Sequence, residues 1–374
     1  MKSILYLGMD VHKNSYSLCA IFDATGEVIA ETRINADVDL IVKFIENCKN
    51  KIDCANQDAI SVKAGYEAGC LGYSLYWQLT DLGIDCDIMA PSTMYKSAKN
   101  KVIKNDRRDA LMICEQLKNN TYKKVYVPQD KDVEVKEFIR MMNSTKESAK
   151  VYKQQINAFL LRLGKVYPGK SKWTTAHFKW MKELELNGIF REILDEYLSI
   201  LNTLLERIER FQNRLVELSV REDYKEPVAN LRAFKGIDTT AAMTLHVEIS
   251  DFNRFPTANA FVAYCGLTPG EQSSGDKNKR TCITKQGNTI VRKTLIECAQ
   301  ALLKGNYKKK TKRIKARQKG LDVKVIDYAD KAVERLQKKF NRLVYRGLNR
   351  NKAVAAVARE LACFVWGMET GNIQ

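Results

Sequence analysis

Asp106 and Asp109 stand three positions apart in Asn105-Asp106-Arg107-Arg108-Asp109-Ala110, a stretch that runs into the apolar-periodic segment Leu111-Met112-Ile113 and Leu117. This spacing predicts a helix that carries both carboxylates about one turn apart on one face. Two carboxylates held together repel unless a cation lies between them, and a divalent metal is the economical solution. The same six residues also fit an ordinary helix start, with Asp106 as N-cap and Asp109 as the acidic member of a capping box. The two readings separate only if other parts of the chain supply more carboxylates.

Two segments supply them. Asp10 sits at the end of the apolar run Ile4-Leu5-Tyr6-Leu7-Gly8-Met9, and Glu67 follows a short strand predicted over 59–64, within Gly65-Tyr66-Glu67-Ala68-Gly69. Strands disfavour acidic residues in their cores, so an aspartate after such a run needs a reason. In a mixed sheet, neighbouring strands can bring Asp10 and Glu67 side by side, with the helix of Asp106 and Asp109 docked beside them. Four converging carboxylates would hold two Mg²⁺ ions, enough to activate a nucleophile and stabilise a leaving oxygen in phosphoryl transfer.

The elements that must position these groups follow from patterning. Segments 4–11, 15–22 and 28–34 read as a three-stranded meander, with a turn at Asp23-Ala24-Thr25-Gly26. Helices are predicted over 39–48 and 71–82, and a strand over 85–90 that Pro91 closes. Strands alternating with helices after a meander indicate an α/β layer with a mixed sheet. From about 130 to 222, apolar residues recur every three or four positions with charges between them, as in a long antiparallel or coiled-coil helix pair. A third, mainly helical unit begins after Pro227. The expected organisation is therefore a catalytic α/β domain over 1–128, a helical dimerisation arm over 129–226, and a C-terminal domain over 227–374.

Charge points to the partner. The 374 residues hold 62 Lys+Arg against 44 Asp+Glu, a net charge of +18, which favours a polyanion such as nucleic acid. Between Lys304 and Lys352 there are 18 Lys+Arg and 4 Asp+Glu, densest at Lys308, Lys309, Lys310, Lys312 and Arg313. A surface so one-sided repels itself without a polyanion. The turn at Gly236, between two predicted helices, could offer backbone N–H groups to a phosphate. A polar, basic loop follows at 267–280, with adjacent Ser273 and Ser274 and with Lys277, Lys279 and Arg280; Lys285 and Arg292 lie just beyond it. No apolar run is long enough for a bilayer and no signal peptide is recognised, so no membrane partner is expected. The 10 cysteines form no Cys-x-x-Cys pair and there are only 3 histidines, which argues against zinc or a disulfide framework. A cytoplasmic, nucleoid-associated location in a bacterium or archaeon is expected.

With those motifs in hand, the chain resembles a known family. Gly8-Met9-Asp10-Val11-His12-Lys13, Tyr66-Glu67-Ala68-Gly69 and Asn105–Ala110 are similar to the three blocks of the RuvC-like DEDD domain in transposases of the insertion-sequence 110 family, relatives of the Piv invertases. Gly236-Ile237, Ala263-Tyr264-Cys265-Gly266-Leu267-Thr268-Pro269, Ser273-Ser274-Gly275 and Ile283-Thr284-Lys285-Gln286-Gly287-Asn288 with Arg292 resemble that family's C-terminal transposase domain. One departure is Asp238, where the family's turn usually has a second glycine. The resemblance implies a RuvC/RNase H-like fold and DNA recombination. It further implies Asp10, Glu67, Asp106 and Asp109 as Mg²⁺ ligands and Ser274, or else Ser273, as a nucleophile that becomes covalently attached to DNA. Implied partners are donor and target DNA, a structured guide (bridge) RNA that selects both by base pairing, and copies of the chain as dimers pairing into a tetramer. Two other functions stay open: a Mg²⁺-dependent structure-selective nuclease of junction-resolvase type, in which water attacks, and a basic nucleic-acid scaffold without catalysis.

Overall fold

A computed structural model describes residues 3–52, 60–69, 71–94, 105–128, 130–271 and 280–373. They divide into two compact units, Met1–Val127 and Pro128–Gln374.

The first unit is built on a five-stranded sheet of order β3-β2-β1-β4-β5. Strands β1 (Ile4–Val11), β2 (Ser15–Phe22) and β3 (Val28–Asn35) form the antiparallel meander, and β4 (Ser61–Glu67) and β5 (Asp85–Met89) add in parallel to β1. The central strand β1 is buried over Leu5–Met9 because both sheet faces are covered, so its sequence is a continuous apolar run and not an alternation. Edge strand β3 stays partly exposed and carries Glu31 and Arg33, the charged edge that discourages further strand pairing.

The two faces have separate cores. Leu5, Leu7, Met9, Ala64 and Tyr66 pack with α1 (Val38–Lys51) and α2 (Ser74–Asp81). Tyr6, Cys19, Ile21 and Met89 pack with α3 (Asp106–Asn119) through Ala110, Ile113, Cys114 and Leu117. Each fully buried Ile or Leu at such a position contributes about 1.5–3 kcal/mol, so helix α3 is held on the sheet chiefly by this face.

Two local expectations are corrected. Strand β4 begins later and runs further than predicted, so Glu67 is its last residue and does not follow it. Pairing with β1 on one side and β5 on the other carries the strand through Gly65, where local propensity alone would end it. The N-cap of α3 is Asn105, whose side chain accepts from the Arg107 N–H at 3.1 Å, and not Asp106.

Among the described residues, the second unit is helices and one ribbon, joined by turns. Helices α4 (Asp130–Arg162) and α6 (Gly188–Leu218) pair in one antiparallel register: Phe138 meets Phe211, Tyr152 meets Tyr197 and Phe159 meets Phe190, with ring centroids 5.5–6.3 Å apart. Between them α5 (Thr175–Glu183) closes a distal core of Ile156, Phe159, Met181, Leu194 and Leu198. The proximal ends, with Ile139, Met142, Leu215 and Leu218, share a core with the helices that follow, so the hydrophobic core runs across position 227. Those helices are α7 (Glu222–Arg232), α8 (Thr239–Ile249), α9 (Ala258–Tyr264), α10 (Thr289–Leu302), α11 (Lys312–Gln318), α12 (Val323–Tyr345) and α13 (Arg350–Glu369). Strands β6 (Pro269–Glu271) and β7 (Arg280–Ile283) form the antiparallel ribbon. Among the described residues, no helix is long and apolar enough to cross a membrane.

Candidate functional site

Two carboxylates of the first unit, Asp10 and Asp106, meet where strand β1 ends. Gly8 pairs with Gly65 and Met9 with Tyr66, so the next positions along the two strands are Asp10 and Glu67. Both therefore leave the sheet on the face that α3 covers. The helix comes close there because strand residues two before each acid are glycines. A Cβ on Gly8 would lie 2.3 Å from the Ala110 carbonyl oxygen and 2.4 Å from the Cys114 nitrogen. Contact this tight brings the first turn of α3, with Asp106 and Asp109, to the strand end that bears Asp10.

Among the described residues, one set of candidate metal ligands has donor atoms all within 4.8 Å of one another: Asp10, His12 and Asp106. The His12 Nε2 lies 3.4 Å from Asp10 Oδ2 and 3.9 Å from Asp106 Oδ1, and Arg33 Nη1 lies 3.9 Å from the other Asp106 oxygen. Side-chain exposure rises from 17 % at Asp10 to 37 % at Asp106 and 50 % at His12, so the cluster reaches the surface. Arg107 of α3 pairs with Glu31 of β3 and fixes the helix start against the sheet edge. Because Asn105 performs the capping, the Asp106 carboxylate is left to face the strand end. Glu67 and Asp109, expected with these residues, are partly exposed and lie outside the 4.8 Å set. His12 is the member that sequence reasoning did not single out. Its signal was the His two positions after Asp10, one residue past the end of β1.

Another acid on this sheet shows what a structural carboxylate looks like here. Asp87 of β5 is buried, ion-paired with Lys124 at 2.8 Å and Lys63 at 3.6 Å, and accepts a hydrogen bond from the Tyr122 hydroxyl. Its charge is satisfied within the fold. Asp10 and Asp106 face each other across the His12 imidazole, with Arg33 also beside Asp106, an arrangement of hard oxygen donors plus one nitrogen that suits a divalent cation.

In the second unit, the residues around the β6–β7 ribbon form a closed clasp. Gly266 and Gly287 both adopt left-handed backbone, with φ of +65° and +78°, and a Cβ on either would collide with the other's segment, at Gln286 O (2.1 Å) and Tyr264 O (1.9 Å). Arg292, expected at a nucleic-acid surface, is instead only 8 % exposed and donates to the carbonyls of Cys265 (3.1 Å) and Gln286 (3.2 Å). Its Nη1 nitrogen bridges the two loops, and burial removes it from a phosphate. Asn288 caps α10 through the N–H groups of Ile290 and Val291 and donates its Nδ2 to Glu248 Oε2 at 2.8 Å. Glu248 has a fully buried side chain and also meets Arg140 at 3.2 Å and Lys136 at 3.7 Å, both on α4. Burial pushes the Lys136 amine below its usual range despite the Glu248 charge. The clasp thus ties the helix pair to the base of the ribbon.

Ser273, Ser274, Lys277 and Lys279 lie outside the described residues, in the sequence between β6 and β7. Arg280 opens β7, and Lys285 is exposed in left-handed backbone at φ +57°. Gly236 packs against the backbone of α10, near Cys298 and Leu302. Lys308, Lys309, Lys310, Lys312 and Arg313 are exposed, and Lys310 pairs with Asp330 of α12.

Comparison with known proteins matches both units. Residues 7–164 fit the family model of DEDD-type transposases of the IS110 kind, described as "Transposase", and residues 228–314 fit that described as "Transposase IS116/IS110/IS902 family". A protein of Sinorhizobium fredii named "Putative transposase y4qE" is 34% identical over 81% of this chain and 74% of its own length. The transposase for insertion sequence element IS1533 of Leptospira borgpetersenii is 31% identical over 92% of this chain and 97% of its own. That for IS1111A of Coxiella burnetii is 24% identical over 99% and 91%.

Proposed function

The chain belongs to the IS116/IS110/IS902 family of transposases, enzymes of DNA strand transfer whose DEDD domain implies a divalent metal, and from that premise we propose an RNA-guided DNA recombinase of a mobile insertion sequence. The observation that supports metal-dependent strand transfer most directly is the convergence of Asp10, His12 and Asp106 within 4.8 Å where β1 ends, with Glu67 one position beyond the paired residues Met9 and Tyr66 on the neighbouring strand. Asp10 and Asp106, with Glu67 and Asp109 beside them, would hold two Mg²⁺ ions. Bound there, the ions would lower the pKa of a hydroxyl and neutralise charge on the phosphate under attack.

The nucleophile in this reading is the Ser274 hydroxyl, with Ser273 the alternative. A serine hydroxyl needs such activation, since it is a weak nucleophile by itself. Its Oγ forms a bond to phosphorus while the phosphodiester bond to the leaving sugar oxygen breaks, and that oxygen takes up a proton. The strand is then held as a phosphoserine ester until the new strand's hydroxyl reverses the step. The clasp of Gly266, Gly287, Arg292 and Asn288 would steady the ribbon ends between which the serine segment runs. The exposed lysines of 308–312 would contact nucleic-acid backbone, and base pairing to a guide RNA would choose the DNA. Exchange of four strands calls for dimers pairing into a tetramer, with the α4–α6 helix pair as the contact between copies.

Trapping tests the reading. A covalent protein–DNA adduct should form with Mg²⁺ and donor DNA and be lost in Ser274→Ala. Adducts that persist in both Ser274→Ala and Ser273→Ala would remove the serine nucleophile, and metal-dependent cleavage without any adduct would favour a nuclease in which water attacks. Sequencing of RNA that co-purifies with the protein tests the guide.

A further inference from the structure

Helix α12 carries an unusual outer face. Its inner face, with Val325, Ala329, Ala332, Val333, Leu336 and Phe340, is buried in the core of the second unit. Opposite it, Lys331, Arg335, Lys338, Arg342 and Tyr345 follow at steps of four, three, four and three residues, the spacing that aligns side chains along one side of a helix. All five are exposed, and Tyr345 is 93 % exposed at the helix end. The stripe extends about 21 Å at the helical rise. An open groove of about 680 Å³ runs along it. Five cationic residues line this groove against two acids, Glu334 and Glu360. It shares Lys331 and Glu334 with a neighbouring groove of about 720 Å³ that Lys308 and Lys309 help to line.

Ion pairs within the groove steady the cationic heads without cancelling them. Glu334 pairs with Lys338, and Glu360 pairs with both Arg335 and Lys339, which leaves an excess of positive charge along the track. The Glu334–Lys338 pair is exposed on both sides and yields readily to a phosphate, whereas Glu360, 15 % exposed, anchors Arg335, whose own side chain is 71 % exposed. The tyrosine sets the partner's chemistry. An aromatic ring this open adds nothing to the core, yet it offers a stacking platform at the end of a cationic track. Bases stacked inside a duplex cannot present a face to such a ring, whereas unpaired bases can.

We propose that this stripe seats a nucleic-acid strand with unpaired bases, its phosphates along Lys331, Arg335, Lys338 and Arg342 and one base stacked on Tyr345. The surface is separate from the residues assigned to strand transfer, and it stands whichever group attacks the DNA. The shared chemistry is a phosphodiester strand with free base faces, in RNA or in DNA.

The test uses the full chain and labelled 12-nucleotide oligouridylate, oligothymidylate and a DNA duplex of equal length. Tyr345→Ala should weaken binding of at least one single strand about tenfold, Tyr345→Phe should restore it, and duplex affinity should stay unchanged. The strand more strongly affected identifies the source. Lys331→Glu combined with Arg342→Glu should flatten the salt dependence of the same strand. A 5-iodouracil-substituted oligonucleotide should crosslink to Tyr345. Unchanged affinity for both single strands in Tyr345→Ala overturns the proposal, as does equal weakening of single strand and duplex. A shift in oligomeric state with strand affinity intact would assign the face to a protein contact instead.

Discussion

Gly8 on β1 and Gly65 on β4 are register partners, and each precedes by two residues the acid at its strand's end. Helix α3 lies over both: Ala110 and Cys114 sit against Gly8, and Leu117 sits against Gly65. The glycines set how close the helix comes, and the helix delivers Asp106 to Asp10. A graded outcome follows. Gly8→Ala meets helix backbone at 2.3 Å and must push α3 away, costing about 1–3 kcal/mol or more in unfolding free energy and strand-transfer activity by at least about tenfold. Gly65→Ala meets mainly the end of the Leu117 side chain, at 2.8 Å, and should be milder in both. Denaturant midpoints with a metal-dependent cleavage assay on the two variants check this; equal effects would contradict the backbone-contact account.

The contrast between Asp10 and Asp87 gives a second expectation. Asp10→Asn or Asp106→Asn should reduce metal-dependent strand cleavage by about 10²-fold or more while leaving the thermal midpoint close to wild type. Asp87→Asn weakens a buried network with Lys63, Lys124 and Tyr122. It should cost about 1–3 kcal/mol of stability and leave chemistry at temperatures well below unfolding. His12→Ala should fall between, with weaker Mn²⁺ affinity measured by calorimetry.

Glu248 bridges Arg140 and Lys136 of α4 to Asn288 at the ribbon base. Glu248→Ala would leave a buried cation and an amide without their acceptor, a loss of about 3–5 kcal/mol. Glu248→Gln keeps an acceptor for Asn288 and should recover part of that. Hydrogen exchange at residues 284–291 should rise in the alanine variant before global unfolding.

His246 and Glu369 give the second unit a pH dependence. Burial alone would push the His246 imidazole down, but the hydrogen bond and charge of Glu369, 3.1 Å away, outweigh it and hold the value above normal. A raised folded value means that the stabilisation is fully present below about pH 6.5, the unfolded value, and is lost as pH rises through the folded one. The stability advantage of wild type over Glu369→Gln should therefore be larger at about pH 6 than at about pH 9. Thermal melts at both values read it directly.

What the sequence determined by itself was local. Apolar runs and three- and four-residue periods placed β1, α3 and the long α4 and α6, because burial demands show in patterning wherever an element has one or two fixed faces. The acids Asp10, Glu67 and Asp106 were legible as exceptions to that patterning. Tertiary structure decided what meets what. Parallel pairing on both sides extended β4 through Glu67, and Asn105, in extended backbone with its side chain on the Arg107 N–H, took the cap in place of Asp106. His12 joined the site only because the strand end and the helix start converge. Arg292 and Glu248 were not legible as the locks of the clasp, since a charge in sequence looks alike whether it ends in solvent or on buried carbonyls and amides. Spacing along the chain fixes a residue's face within its own element; its partners depend on strand register and helix approach, which only the packed chain sets.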